Sequence, residues 1–334
     1  RLVLESTNFM AVYTHLSSAQ ISAYIAPFNL GDLVDFKGIS GGIENTNYFV
    51  TTQIKGQPQQ DFVLTLFEDL SYDQIPYFVD LTEHLVNHKV TVPAPLRDQD
   101  GTALSMLADK PPLLFPRFAG DHLPRSAIGV SECAIMGCEL ARFHLAGQQF
   151  TTVRHSHRGR QWWNELGPRA AQCIDGADAT MLMMAIGQYD AMQVQQPNLP
   201  TGVVHGDLFH DNVLFNRGQL SATIDLYNAS NDYLLFDVAI TVNDWCIAPD
   251  GSIDLALYDA FLQAYAQVRA FNSAEKQYWN AMLVAAAMRF WLSRLETYHG
   301  LDSHQREEGI TVLKDPNIFR DILSQRMQQF QQLP

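Results

Sequence analysis

A chain of 334 residues exceeds one compact core of ordinary size and falls short of three, so two lobes are expected. With 36 acidic against 22 basic side chains and a net charge of -14, it repels nucleic acid and anionic membrane but remains compatible with cationic or zwitterionic small molecules. Four cysteines without a zinc spacing or the density of a disulfide scaffold fit a reducing cytoplasm, and the densest apolar stretch, 281–291, carries Arg289 and is shorter than the ~20 residues that span a bilayer.

Residues 1–9 lack the basic start and sustained apolar core of a signal peptide, and Met10 reads as a start, which makes the first nine residues a cloning remnant or an upstream extension. Ser17 to Gln20 form a capping-box signature for a short helix that Pro27 ends. Strands are expected over 35–54 and 61–67, with turn residues at 55–58, followed by a helix over 74–88 whose face carries Ile75, Phe78, Thr82 and Leu85. Further strands are expected over 92–96 and 103–115. After Pro116 the pattern turns helical. Ser131 is expected to cap a helix with Ile135, Cys138, Ala141 and Leu145 on its apolar face and Gly147 at its end. Other helices are expected around 161–171, 179–192, 234–246, 255–267, 274–298 and 316–332. The outcome is a strand-rich lobe over 10–115 and a helix-rich lobe over 116–334.

The segment His205-Gly206-Asp207-Leu208-Phe209-His210-Asp211-Asn212, with apolar strands on both sides and Ile224-Asp225 beyond it, concentrates ionisable groups in one loop. Such a loop is costly unless it lines a cleft. Its spacing suits phosphoryl transfer: Asp207 to accept the proton of an attacking hydroxyl, and Asn212 and Asp225 to offer oxygen ligands to Mg²⁺. A short hairpin through residues 216–219 brings Asp225 alongside.

His-Gly-Asp-Leu-x-x-x-Asn followed by Ile-Asp resembles the signature of the aminoglycoside phosphotransferase and choline kinase-like enzymes. The resemblance runs over nearly the whole chain from Met10. It narrows to the homoserine kinases of that superfamily through the segments 38–49, 62–68, Asn243-Asp244-Trp245-Cys246 and Arg289-Phe290-Trp291-Leu292-Ser293-Arg294. It implies an α+β, bilobal protein-kinase-like fold with a β-rich N-terminal lobe and a mainly α-helical C-terminal lobe. The implied reaction is ATP- and Mg²⁺-dependent phosphorylation of the homoserine side-chain hydroxyl. Within that fold Ser40, Gly41 and Gly42 become a phosphate cover, joined by Asn45 and Asn47, and 113–118, with Pro116 and Phe118, becomes the adenine-binding hinge. His205 is expected to hold the catalytic loop through hydrogen bonds.

One departure stands out. The third strand reads Val-Leu-Thr65-Leu where many kinases carry a phosphate-binding lysine, and an apolar residue near Phe78 stands where its glutamate partner is expected. Lys37 and Arg117 are the candidate replacement cations. For homoserine, Arg294 is expected to take the carboxylate, Asn243 and Asp244 to lie near the ammonium, and Trp245 or Trp291 to form walls. Two rivals remain: a choline or ethanolamine kinase with Trp245, Trp291 and Tyr227 as an aromatic cage, and a nucleotide-binding regulatory module of pseudokinase type. Oligomeric state leaves no trace in the sequence.

Overall fold

A computed structural model describes residues 14–39, 45–301 and 314–334. These fall into two units. One takes the described residues up to Val86 together with Pro93–Phe118, and the other takes Asn87–Val92 and the described residues from Ala119 onward.

The first unit is built on an antiparallel sheet in the order β1 (Asp32–Gly38), β2 (Asn45–Gln53), β3 (Gln60–Phe67) and β4 (Pro112–Pro116). Strand alternation sorts its residues onto two faces. Tyr48, Val50, Phe62, Leu64 and Leu66 pack with Ile21, Tyr24 and Ile25 of helix α1 (Ser18–Ile25), which the Ser17–Gln20 capping box opens as expected. The other face carries Lys37 opposite Phe49 and Asn47 opposite Thr65. Helix α2 (Ile75–Asn87) buries Ile75, Phe78, Thr82 and Leu85. The strands expected over 92–96 and 103–111 do not form. Pro93, Pro95 and Pro111 have no N–H to give a ladder, and a single Leu96-to-Leu114 bond at 2.7 Å is what remains of the pairing beside β4.

In the second unit, helix α3 (Val130–Gly147) starts at a Gly129 cap, two residues before the expected Ser131, and the Glu132 carboxylate satisfies the Gly129 N–H at 3.1 Å. Of the expected face Ala141 is buried, Ile135 and Cys138 are half-buried and Leu145 is exposed, and Cys133, Met136, Leu140, Phe143 and His144 are buried with Ala141. The reason is close packing on α7 (Leu255–Val268): a Cβ at Gly137 would stand 2.1 Å from the Phe261 carbonyl oxygen, so the helices approach where glycine lets them. Helices α4 (Arg160–Ala171) and α5 (Gly176–Val194) precede β5 (Thr201–Val204), the β6–β7 hairpin (Val213–Asn216, Gln219–Thr223) and β8 (Ser230–Tyr233), which pairs with β5. Helix α6 (Leu234–Trp245) is buried along its whole length, and α8 (Ser273–Tyr298) is apolar on every side through its middle because helices surround it. Helix α9 (Asn317–Gln328) closes the chain. Among the described residues no helix is long and apolar enough to cross a membrane, and all four cysteines are free.

Candidate active site

The site begins where β5 ends. Val203 and Val204 are buried against the helical core, and the next residue, His205, is fully buried as well. Asp237 of α6 fixes the backbone that follows: its Oδ2 accepts the His205 N–H at 2.7 Å and its Oδ1 the Gly206 N–H at 2.9 Å. Gly206 sits at φ +76°, and a Cβ there would meet the Asn228 carbonyl oxygen at 2.9 Å, so the turn into Asp207 requires glycine. The His205 ring donates from Nε2 to the Ile224 carbonyl at 3.0 Å and accepts the Asp207 N–H on Nδ1 at 3.3 Å. It therefore ties the loop of Asp207 to the strand end before Asp225. Burial holds its pKa below the ordinary histidine value, with the Asp237 charge opposing. For Asp237, burial alone would raise the carboxyl, but hydrogen bonds from His144 and the loop backbone outweigh it and keep the group ionised.

Three backbone-directed bonds bring Asn212 into place. The Phe209 N–H donates to the Asp207 carbonyl at 2.8 Å, the Asn212 N–H donates to the Phe209 carbonyl at 2.9 Å, and Asn212 Nδ2 reaches the Asp207 carbonyl at 2.8 Å. That last bond commits the amide nitrogen and leaves the side-chain oxygen as an acceptor. The Ile224 N–H then donates to the Asn212 carbonyl at 2.9 Å, which sets Asp225 next to Asn212. Asp225 itself adopts a left-handed backbone, φ 63° and ψ 55°, a conformation that non-glycine residues enter at some cost. A carboxylate and an amide on backbone-linked segments, with a second carboxylate on the same loop, are donor types suited to a hard divalent cation.

A second aspartate of α6 holds the far side of the loop. Asp244 Oδ2 accepts from the His210 N–H at 2.7 Å and from its Nδ1 at 2.8 Å, while Oδ1 accepts from Arg125 Nη2 at 2.5 Å. Arg125 Nη1 also donates to the Asp244 carbonyl at 2.5 Å. Burial alone would raise the Asp244 carboxyl, and His210 with Arg125 pulls it below the usual range. Asp244 is thus occupied by protein groups and does not stand open to a substrate ammonium.

The other expected substrate residues divide. Arg294 of α8 lies over the Phe319 ring at 4.6 Å and donates from Nη1 to the Asp315 carbonyl at 2.7 Å. Burial lowers its pKa, and the carboxylates of Asp244, Asp315, Asp211 and Asp207 act in the opposite direction, which places its charge in the field of the catalytic loop. Asn243, by contrast, spends its amide on the Leu283 carbonyl at 2.9 Å and its oxygen on Arg326 Nε at 2.7 Å. Trp245 and Trp291 are each 1% exposed. Trp245 donates from Nε1 to the Leu208 carbonyl at 3.1 Å, so it supports the loop from beneath. These three residues belong to the core: a helix buried on all sides turns every position inward, and the expectation that a polar or aromatic side chain there faces substrate fails for that reason.

In the first unit, Asn47 accepts from the Thr65 hydroxyl at 2.6 Å and points its Nδ2 toward the Asn45 carbonyl at 3.4 Å. Thr65 is buried on β3 and Phe78 on α2, so neither member of a lysine–glutamate pair occupies those positions. Lys37, Phe49, Thr51 and Arg117 line a cavity of about 390 Å³ on the same face of the sheet. The Arg117 guanidinium lies 4.0 Å from the Phe49 ring centre. Pro116 ends β4 opposite Phe62, and Phe118 follows it half-buried. Ser40, Gly41 and Gly42 lie outside the described residues.

The sequence pattern of the phosphotransferase enzyme family matches residues 35–271. The chain belongs to that family. It is 38% identical over 329 residues to a homoserine kinase of Paraburkholderia phymatum, covering 95% of this chain and 98% of that one. It is 39% identical over 327 residues to a homoserine kinase of Ralstonia pickettii, covering 95% and 96%. Among solved structures it is similar to an amicoumacin kinase in complex with AMP-PNP and Ca²⁺, with a TM-score of 0.67 at 15% identity over 93% of this chain and 92% of that one. It is also similar to an aminopropanol kinase, with a TM-score of 0.64 at 16% identity over 92% and 94%. The last two likenesses establish the α+β fold of the family.

Two site residues of this phosphotransferase escape a reading of the sequence. Arg125 sits in an unpatterned stretch between β4 and α3, and nothing local marks it as the partner of Asp244. His144, on α3, looks like a polar residue on a helix surface, yet it is fully buried against Asp237. Its one signal is its place next to Phe143 and one turn before Gly147, where an added Cβ would stand 2.9 Å from the Val203 carbonyl oxygen, so that glycine lets α3 lie close on β5.

Proposed function

We propose that this phosphotransferase transfers the γ-phosphoryl group of ATP to the side-chain hydroxyl of homoserine, in the cytoplasm, with Asp207 as catalytic base and Asn212 and Asp225 as magnesium ligands. What carries the reading is the near-full-length identity to homoserine kinases together with the Asp207–Asn212–Ile224 bonding that groups the three residues. Magnesium, when bound, neutralises charge on the transferring phosphoryl group. The chain's own part is to present the Asp207 carboxylate to the hydroxyl proton and hold it there through Asp237 and His205. Arg294 takes the substrate carboxylate, since its guanidinium has donors to spare beyond the Asp315 carbonyl.

The nucleotide is bound by the first unit, with Ser40, Gly41 and Gly42 as phosphate cover, Asn45 and Asn47 as further donors, and Pro116 to Phe118 as the adenine edge. Lys37 and Arg117 supply the positive charge that Thr65 cannot. A choline or ethanolamine substrate is disfavoured because Trp245 and Trp291, 1% exposed each, offer no free ring face to a quaternary ammonium. ADP release with Mg-ATP, measured in parallel on homoserine, choline, ethanolamine and kanamycin, tests the reading. Turnover on homoserine alone supports it, and turnover on choline without homoserine removes it.

A further inference from the structure

Asp237 is held on its far side by a chain of buried side chains that no step of the reaction touches. His144 Nε2 lies 3.0 Å from Asp237 Oδ2, and His144 Nδ1 lies 2.7 Å from the Tyr265 hydroxyl of α7. Arg269 Nη1 reaches that hydroxyl at 3.2 Å and Glu275 Oε1 at 2.9 Å. Glu275 caps the start of α8, accepting the Asn272 N–H on its other oxygen at 2.9 Å. His144, Tyr265, Asp237 and Glu275 are all completely buried.

The chemistry of the partners fixes every hydrogen in this chain. Asp237 Oδ2 already accepts the His205 N–H, and an ionised carboxylate has no proton to give, so His144 must carry its proton on Nε2. Its Nδ1 is then an acceptor, and the Tyr265 hydroxyl must donate to it. The Tyr265 oxygen in turn accepts from Arg269, which can only donate. Hydrogen bonds that all run in one sense polarise one another, and a buried network fully satisfied in this way has a single arrangement. Burial keeps the His144 pKa below the ordinary value against the pull of Asp237, so the ring stays neutral and its tautomer stays set.

We propose that Tyr265 and His144 are positioning residues for phosphoryl transfer, which through Asp237 hold the backbone at His205 and Gly206 in the geometry that presents Asp207. The proposal rests on the assignment of Asp207 as base. Groups of opposite charge close the chain at both ends, Asp237 at the loop and the Arg269–Glu275 pair at the first turn of α8. A purely packing role would be served as well by apolar side chains of the same volume, at no cost in buried polar groups. The chain also connects α8 to the catalytic loop. The same helix carries Arg294 some 19 residues after Glu275, about 28 Å along its axis.

The test combines kinetics with a proton location. In the intact protein, long-range ¹H–¹⁵N correlation of the imidazoles, with His144 assigned through His144→Gln, should show a neutral ring protonated on Nε2. Tyr265→Phe should lower kcat roughly ten- to a hundredfold, the scale of a small misplacement of a reacting group, while KM for ATP stays within about twofold. His144→Gln, whose amide can still donate to Asp237, should keep more turnover than His144→Leu. A proton on Nδ1, an unchanged kcat in Tyr265→Phe, or a loss that merely follows the folded fraction in urea would overturn the proposal. Should Asp207→Asn retain turnover, the base assignment fails instead, and the proton location still decides the state of the chain.

Discussion

Asp244 grips His210 twice, through the main-chain N–H at 2.7 Å and through the imidazole Nδ1 at 2.8 Å, and it does so with one carboxylate oxygen. The other oxygen belongs to Arg125. A neighbour of the proposed metal site is therefore fixed from α6 by a charge that is itself neutralised from the segment before α3. Removing one partner of a buried charged pair leaves the other uncompensated. Asp244→Ala should destabilise the fold by ~3–5 kcal/mol, whereas Arg125→Ala, whose side chain is 42% exposed, should cost less stability and act mainly on kcat. Urea unfolding together with steady-state kinetics separates the two. Equal and small effects in both variants would show that the clamp does not order the loop.

Asp207→Asn keeps the shape of the loop but removes the carboxylate proposed as proton acceptor. Turnover should fall about 10²- to 10⁴-fold with nucleotide binding retained. Asn212→Ala should act differently, raising the magnesium concentration needed for half-maximal rate, because the Asn212 oxygen is the proposed ligand once its nitrogen is bound to the Asp207 carbonyl. Near-normal turnover of Asp207→Asn under saturating Mg-ATP would move the base elsewhere.

The signature residues were legible in the sequence because their roles depend on local spacing. A five-residue step between Asp207 and Asn212 and a hairpin before Asp225 need no knowledge of the rest of the chain. The α6 and α8 residues were not legible in the same way. Asn243, Trp245 and Trp291 carry functional-looking chemistry, but whether they face substrate or core depends on which neighbours surround their helices, and those neighbours arrive from α9, α5 and the catalytic loop itself. Arg125 and His144 show the converse. Each gains its role from a partner about a hundred residues away, 119 for Arg125 and Asp244 and 93 for His144 and Asp237, and no pattern over a short window encodes such a pairing. The strands expected at 92–96 and 103–111 are absent for a reason that is local and present in the sequence, the prolines that cannot donate to a ladder.

Arg294→Lys should raise KM for homoserine about ten- to a hundredfold, the equivalent of a charge-assisted hydrogen bond at ~1.5–3 kcal/mol, and leave KM for ATP within about twofold. A lysine keeps the charge but loses the planar pair of donors that meets a carboxylate in two places. Since Arg294 also lies on Phe319 and holds the Asp315 carbonyl, thermal unfolding must accompany the kinetics. A parallel rise in both KM values would mark it as a structural arginine.

Lys37 and Arg117 are both exposed on the face of the sheet that carries Phe49, so each should contribute modestly to nucleotide binding. Single alanine substitutions should raise KM for ATP about three- to tenfold, and the double variant should approach the product of the two. Screening by salt should weaken the wild-type advantage, since exposed charges act through solvent. No change in ATP affinity at low ionic strength in the double variant would leave the phosphates to magnesium and the loop amides alone.

Stability should fall as the pH drops through the ordinary histidine range, and the sign follows from three buried groups. His144 and His205 have pKa values lowered by burial below the ordinary 6.5, so the unfolded chain takes up two protons beneath that pH that the folded chain refuses, and stability is lost as the pH falls. Asp232 works against them. Burial raises its pKa to about 6, so between about 6 and 3.8 the folded chain holds one proton that the unfolded chain has released, and this contribution grows as the pH falls. Two groups against one leaves the histidines dominant, so stability declines as the pH falls through and below the ordinary histidine range. Below this, Asp237 and Asp244, both held under the usual carboxylate range, add to the loss as they are forced to protonate. Asp232→Asn removes the opposing term and should steepen the decline below pH 6 without altering it above. Chemical unfolding at half-unit intervals of pH measures both slopes, and a profile that is flat between pH 7 and 5 would mean that His144 and His205 become charged in the folded protein.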